Sequence, residues 1–236
     1  MIVFRSFLYQ IFFWIWTFIL SIFLLPFLFF PRSWITKASQ VWSFSLLFGL
    51  RIICGLNYRI EGQSNLPEGP ILLASKHQSA WDTIIMPLIL PGAAVVLKKE
   101  LTWIPLYGWY LRKYGVIAIE RGRGFVAIQK MRSEAKNCLT EGRSIIIFPE
   151  GTRVQPKSLK KIQAGVAALY QDLEIPVVPV ALNSGCFWGR RSFVRKPGTI
   201  TLRFLSPISP GLDKRGFLQT LEQRINHAQE SLDPAG

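Results

Sequence analysis

Two short segments carry residue types and spacings that do chemistry. In His77-Gln78-Ser79-Ala80-Trp81-Asp82, an imidazole and a carboxylate stand five positions apart, directly after the apolar run Ile71-Leu72-Leu73-Ala74. A carboxylate on one ring nitrogen fixes the histidine tautomer and leaves the other nitrogen free to take a proton, which makes a general base. In Phe148-Pro149-Glu150-Gly151-Thr152-Arg153, an acid and an arginine flank a glycine after a second apolar run, Ile145-Ile146-Ile147-Phe148. A glycine lets an anion approach the backbone closely, and an arginine grips phosphate in a two-pronged fork. Together they read as a base that activates a hydroxyl on a phosphorylated substrate.

Neither segment is free of a plainer reading. Ser79-Ala80-Trp81-Asp82 is also a capping box that starts a helix, and the cap and the dyad are compatible. Glu150 to Arg153 is also a charged turn at a strand end. The arrangement recurs, however. Gly115-Val116-Ile117-Ala118-Ile119-Glu120-Arg121-Gly122 again delivers an acid and an arginine after an apolar run, and Lys98-Lys99-Glu100 follows a third such run. There is no G-x-S-x-G elbow and no cysteine beside His77. The base is therefore expected to act on a substrate hydroxyl directly, without a covalent intermediate.

The elements that must position these residues follow from the pattern after Gly55. Apolar runs near 57–61, 71–75, 93–97, 115–119, 144–148, 177–182 and 199–205 predict strands. Helical segments are predicted near 80–90, 99–113, 124–140, 161–173 and 213–231. Alternation of Val/Ile-rich strands with helices predicts an α/β fold whose sheet is mixed but mostly parallel and flanked by helices. In such sheets ligands bind at the carboxyl ends of the strands, and all four charged segments fall at such ends. Residues 57–236 are assigned to this domain.

Residues 1–56 read differently. Arg5 and Arg32 bracket a stretch without charge. Its core, Phe7 to Phe30, is about 36 Å long as a helix at 1.5 Å per residue, against a hydrocarbon core of roughly 30 Å. A secretory signal would have a shorter apolar region and a small-residue cleavage site, which Pro31-Arg32-Ser33-Trp34 does not supply. Val41 to Leu56 is a second apolar stretch, broken by Arg51. The expected N-terminal membrane anchor is thus one spanning helix plus an interfacial helix, or a helical hairpin in one leaflet. The aromatic segment Leu101 to Lys113 reads equally as a core helix or an interfacial patch. Phe187-Trp188-Gly189-Arg190-Arg191 reads as a loop on lipid headgroups or a solvated turn.

Composition agrees. The 236 residues are 50% hydrophobic, with a formal net charge of +14. Such charge suits nucleic acid, anionic lipid or an anionic substrate. No RNA-binding signature or zinc-finger spacing accompanies it, and the apolar excess points to a membrane surface rather than nucleic acid. Cys54, Cys138 and Cys186 are scattered, without a CxxC pair, as in a reducing compartment. With only His77 and His227 as histidines, a His-rich metal site is not expected.

The ordered blocks H-x4-D, K-x-E-L, G-V-I-x-I-x-R, F-P-E-G-T-R and V-P-V, over roughly residues 60–183, resemble the glycerolipid acyltransferase family. The chain is most similar to the bacterial 1-acyl-sn-glycerol-3-phosphate acyltransferases within it. The resemblance implies an acyl-CoA or acyl-ACP donor as co-substrate with no cofactor, lysophosphatidate as acceptor, and anionic phospholipids as surroundings. It also implies a bacterial inner membrane with the catalytic domain on the cytoplasmic side. Carried over by position, His77 is the base and Asp82 its orienting partner. Arg121, Glu150, Gly151, Thr152 and Arg153 form the glycerol-phosphate site, Lys98 is a further phosphate ligand, and Pro179 is structural. Val154 stands where the family often has serine, and Lys160 to Gly165 matches only loosely, which bears on donor and acceptor preference. Other acceptors (glycerol 3-phosphate, another lysolipid) and a non-catalytic membrane-binding protein on this fold are the alternatives.

Overall fold

The Val- and Ile-rich runs pair into one seven-stranded sheet in a computed structural model that describes residues 1–120, 122, 124–158 and 160–232. The strands are β1 (Leu56–Glu61), β2 (Leu72–Ser75), β3 (Ala94–Lys98), β4 (Ile117–Ile119), β5 (Ile145–Ile147), β6 (Val177–Leu182) and β7 (Gly198–Phe204). Their order is β1-β7-β6-β2-β5-β3-β4, parallel throughout except for the antiparallel pair β6–β7. The central strands β2, β5 and β6 are buried at every position, as expected of a sheet covered on both faces.

One face carries α5 (Gly124–Thr140), α6 (Ala164–Leu173) and α8 (Lys214–Leu232), which bury Met131, Val166, Leu169, Phe217 and Leu221 against it. The other carries α3 (Trp81–Ile89) and the N-terminal helices α1 (Ile2–Phe23) and α2 (Arg32–Gly49). Tyr9, Leu46 and Leu47 from these helices share one hydrophobic cluster with Leu73, Val178 and Leu202 of the sheet. The anchor and the sheet therefore have a common core. The remaining helices are α4 (Tyr107–Tyr114) and the short α7 (Ser184–Phe187).

Helices α1 and α2 form an antiparallel hairpin through a 3₁₀ turn at Leu25–Phe29. Polar side chains pin it. Trp42 Nε1 donates to Thr17 Oγ1 (3.1 Å), Trp16 Nε1 to Ser45 Oγ (2.6 Å), and the Tyr9 hydroxyl to the Leu46 carbonyl (3.3 Å). α1 also touches the α/β domain near both ends. The Arg195 amide donates to Ser6 Oγ (2.9 Å), and the Tyr110 hydroxyl donates to the Ser21 carbonyl (2.6 Å). Its outward face shows Phe4, Phe7, Ile11, Trp14, Phe18 and Ile22, the 3–4 residue spacing of one helix face. A helix whose apolar stripe faces away from its own protein needs an apolar neighbour. α1 is also long and apolar enough to cross a membrane, and the protein is membrane-associated.

One predicted helix is broken. Residues 99–113 form a 3₁₀ turn over Lys99–Trp103, and α4 starts only at Tyr107. Pro105 is the cause. Its ring disfavours α geometry at the preceding residue, and Ile104 is extended, with φ −65° and ψ 123°. Within this segment Trp103, Ile104 and Trp109 are exposed, while Tyr110 and Leu111 line a cavity.

Candidate active site

Parallel strands β2, β5 and β3 lie side by side and end on one rim. The loop after β2 carries His77, the loop after β5 carries Arg153, and Lys98 ends β3. Arg121, which follows β4 in sequence, lies outside the described residues.

His77 and Asp82 form the expected dyad. Nδ1 lies 2.9 Å from Asp82 Oδ2; the histidine side chain is 12% exposed and the aspartate 0%. Asp82 Oδ2 also accepts the backbone N–H groups of Gln78 (2.6 Å) and Ser79 (2.8 Å). The capping box is half realised. Asp82 reaches back to Ser79, but the Ser79 hydroxyl accepts from Trp81 N (3.2 Å), and Ala80 is the N-cap. The Phe148 ring stacks on the imidazole, with centroids 4.1 Å apart and planes at 24°. Among the described residues no hydrogen bond engages Nε2, and His77 lines a cavity.

The turn after β5 divides its residues between two sides. Gly151 adopts φ +69°, a left-handed geometry that costs glycine little. The Val154 amide donates to the His77 carbonyl (2.8 Å), tying the two loops together. Thr152 and Arg153 face the cavity. Glu150 and Gly151 do not line it, which departs from the expectation that the whole block forms the binding wall. Glu150 is 4% exposed, and its Oε2 has no hydrogen-bond partner among the described residues. Burial pushes its carboxyl up to about 7, with the Lys76 charge opposing. Burial also lowers the Arg153 guanidinium from its ordinary value, the Asp82 carboxylate opposing. Among the described residues no carboxylate forms an ion pair with Arg153.

The cavity holds about 560 Å³, within the roughly 300–1,000 Å³ typical of ligand sites. It has two chemistries. At the rim stand His77, Lys98, Thr152, Arg153, Arg190 and Arg191. Its apolar wall comes from Leu20, Leu24, Ile35, Pro87, Val96 and Leu111, so the anchor helices close it. The sequence motifs did not single out Arg190 and Arg191 as rim residues, although their aromatic–basic loop was noted. Trp188 of that loop is buried edge-on against Tyr9, with centroids 6.0 Å apart. Phe148 and Ser184 also went unpredicted. No group of three or more His, Cys, Asp or Glu suited to a metal ion occurs among the described residues.

Comparison with known proteins places this geometry. The family model described as Acyltransferase matches residues 57–183. A 1-acyl-sn-glycerol-3-phosphate acyltransferase from Pseudomonas aeruginosa is 35% identical over 181 residues, covering 77% of this chain and 70% of that protein.

The chain belongs to the acyltransferase family.

A Saccharomyces cerevisiae acyltransferase of the same name is 30% identical over 164 residues, 68% of this chain and 54% of that protein. This chain thus spans about half the length of the yeast relative. The crystal structure of the 1-acyl-sn-glycerophosphate acyltransferase PlsC from Thermotoga maritima superposes with a TM-score of 0.81 over 100% of this chain and 99% of that one, at 21% identity. That likeness extends the shared fold to the N-terminal hairpin. The family match includes the His77–Asp82 loop and the β5 turn, so the dyad, Lys98 and Arg153 sit inside the acyltransferase region, while Arg190 and Arg191 lie beyond it.

Proposed function

We propose that this acyltransferase moves an acyl chain from a thioester donor, acyl-CoA or acyl-ACP, to the sn-2 hydroxyl of lysophosphatidate, giving phosphatidate. The observation that carries the reading is one cavity whose lining brings His77, the exposed member of the His–Asp dyad, together with cationic and apolar side chains. That is the shape of a substrate with a phosphate at one end and a hydrocarbon chain at the other.

His77 Nε2 takes the proton of the acceptor hydroxyl. The oxygen attacks the thioester carbonyl carbon, the tetrahedral adduct expels the thiolate, and the proton on Nε2 passes to sulfur. Asp82 on Nδ1 stabilises the imidazolium between the two steps. Arg153, Thr152 and Lys98 at the rim hold the phosphate, and the family block assigns Arg121 to the same task. General-base catalysis contributes about 10²–10⁴-fold, and alignment of the two bound substrates supplies much of the rest. The assay that tests the reading offers the purified protein lysophosphatidate, glycerol 3-phosphate and other lysolipids in turn. Lysophosphatidate is expected to be the preferred acceptor. Preference for a phosphate-free lysolipid would overturn the assignment.

The hairpin is read as dipping into one leaflet rather than spanning. α1 touches one α/β domain through both Ser6 and Ser21, about 22 Å apart along the helix. A helix crossing the bilayer would carry one of those ends away from a domain that stays on one side. The scattered cysteines, without a CxxC pair, fit a cytoplasmic location, at the inner membrane of a bacterium. Removing residues 1–34 exposes Tyr9's partner Leu46 and opens the cavity wall at Leu20 and Leu24. The truncated protein is expected to aggregate and to lose transfer activity, as read by size-exclusion chromatography and assay. A monodisperse, fully active truncation would refute the role of the hairpin.

A further inference from the structure

The dyad has a third member from a distant part of the chain. Asp82 is fully buried, and its two oxygens are served differently. Oδ2 takes three donors, all from its own loop: Gln78 N–H, Ser79 N–H and His77 Nδ1. Oδ1 takes the Ser184 hydroxyl at 2.5 Å, from 102 positions away. Ser184 is itself fully buried. The serine hydroxyl is the donor of this bond and Oδ1 its acceptor.

The fold holds that hydroxyl in place from several directions. β2 and β6 pair in parallel, with Ser75 opposite Val180, and the Lys76 amide donates to the Val180 carbonyl (3.0 Å). The two strands thus deliver the His77 loop and the Ser184 turn side by side. Asn183 is locked by donating to the Leu232 carbonyl (3.0 Å) and accepting the Thr201 amide (2.8 Å). The Gly185 amide donates to Gln78 Oε1 (2.9 Å). A Cβ on Gly185 would come within 2.9 Å of Gln78 Cβ and Pro156 Cγ, so the turn approaches this closely only with glycine.

We infer that Ser184 is a positioning residue for the base: its hydroxyl holds Asp82 Oδ1, so that Oδ2 stays fixed on His77 Nδ1. Without it, Oδ1 is a buried acceptor with no donor. The carboxylate then rotates about χ2 or admits water to satisfy that oxygen, and either movement draws Oδ2 off the imidazole. Ser184 touches no substrate and acts through Asp82 alone. The inference rests on the reading of His77 as base.

The test uses the full chain in detergent or vesicles, with Ser184→Ala, Ser184→Thr and His77→Ala beside the wild type. Ser184→Ala is expected to lower kcat about 10- to 100-fold, with KM for lysophosphatidate within about twofold of wild type. Ser184→Thr keeps the hydroxyl and is expected to restore most of kcat. A readout independent of turnover comes from proton NMR of protein labelled with ¹⁵N-histidine. The chain has only two histidines, so the His77 Nδ1–H signal is the one missing from His77→Ala. It is expected to move upfield in Ser184→Ala and to return in Ser184→Thr. Should Ser184→Ala not fold, Ser184→Cys, of similar volume but a weaker donor, must show the same kcat loss and upfield movement. Wild-type kcat in the hydroxyl-free variant, or an unmoved His77 signal alongside a lowered melting temperature, would overturn the inference. Wild-type turnover in His77→Ala would instead remove the base reading itself. Loss in His77→Ala with none in Ser184→Ala would remove only the role of Ser184.

Discussion

His77→Ala is expected to lose at least about 10²-fold in turnover while the protein stays folded. The imidazole packs against Phe148 at the cavity edge and is not a core side chain. Its removal deletes the proton acceptor and leaves the sheet untouched. KM should change little, because the acceptor phosphate is held by other residues at the rim. Asp82→Asn is expected to be impaired as well. An amide in place of the carboxylate lets its NH₂ meet Nδ1, which favours the wrong tautomer. It also sets that NH₂ against the Gln78 and Ser79 donors. The asparagine variant should therefore lose stability in addition to turnover, whereas His77→Ala should not. Turnover and melting temperature of both variants separate the two effects, and near-wild-type turnover in His77→Ala would remove the mechanism.

The second large effect is expected at Arg153. A charged hydrogen bond to phosphate is worth about 1.5–3 kcal/mol, so Arg153→Ala should lower kcat/KM for lysophosphatidate by roughly 10–150-fold. Arg153→Lys should recover only part, since lysine keeps the charge but loses the fork. The absence of an ion-pair partner for Arg153 among the described residues argues that its cation is kept for a ligand. Loss on a phosphate-free lysolipid should be much smaller. An equal loss on both acceptors would assign Arg153 to the fold or to the donor.

The dyad was legible in the sequence because it is local. Five positions in one loop are enough to bring Nδ1 and Oδ2 together, and no distant element is needed to infer it. The strands were legible for a similar reason. Runs such as Ile145-Ile146-Ile147 and Val177 to Leu182 have no other comfortable place than a sheet covered on both faces. What sequence reasoning missed depends on tertiary packing. Ser184 reaches Asp82 only because β6 lies beside β2, and strand order is not written in local pattern. The apolar wall depends on α1, α2 and α4 folding back over the end of β3. The F-P-E-G-T-R block read as one binding unit because Pro149 to Arg153 are all polar or turn-forming. The left-handed Gly151 then turns Glu150 inward and Arg153 outward, and side-chain direction at such a turn follows from backbone geometry rather than from residue type.

The hairpin gives the site its second chemistry. Without Leu20, Leu24 and Ile35 the cavity would be an open cationic rim, suited to any phosphate. With them it is a slot closed by the same helices that present Phe4, Trp14 and Phe18 outward to lipid. On the proposed function, membrane attachment and formation of the substrate cavity belong to one element.

The central claim is most directly tested by one acyl-transfer assay with purified wild-type protein and lysophosphatidate, offering acyl-CoA and acyl-ACP separately. The predicted result is phosphatidate, acylated at the sn-2 hydroxyl, with at least one donor. No phosphatidate from either donor, in preparations that acylate another acceptor or only bind lipid, would contradict it.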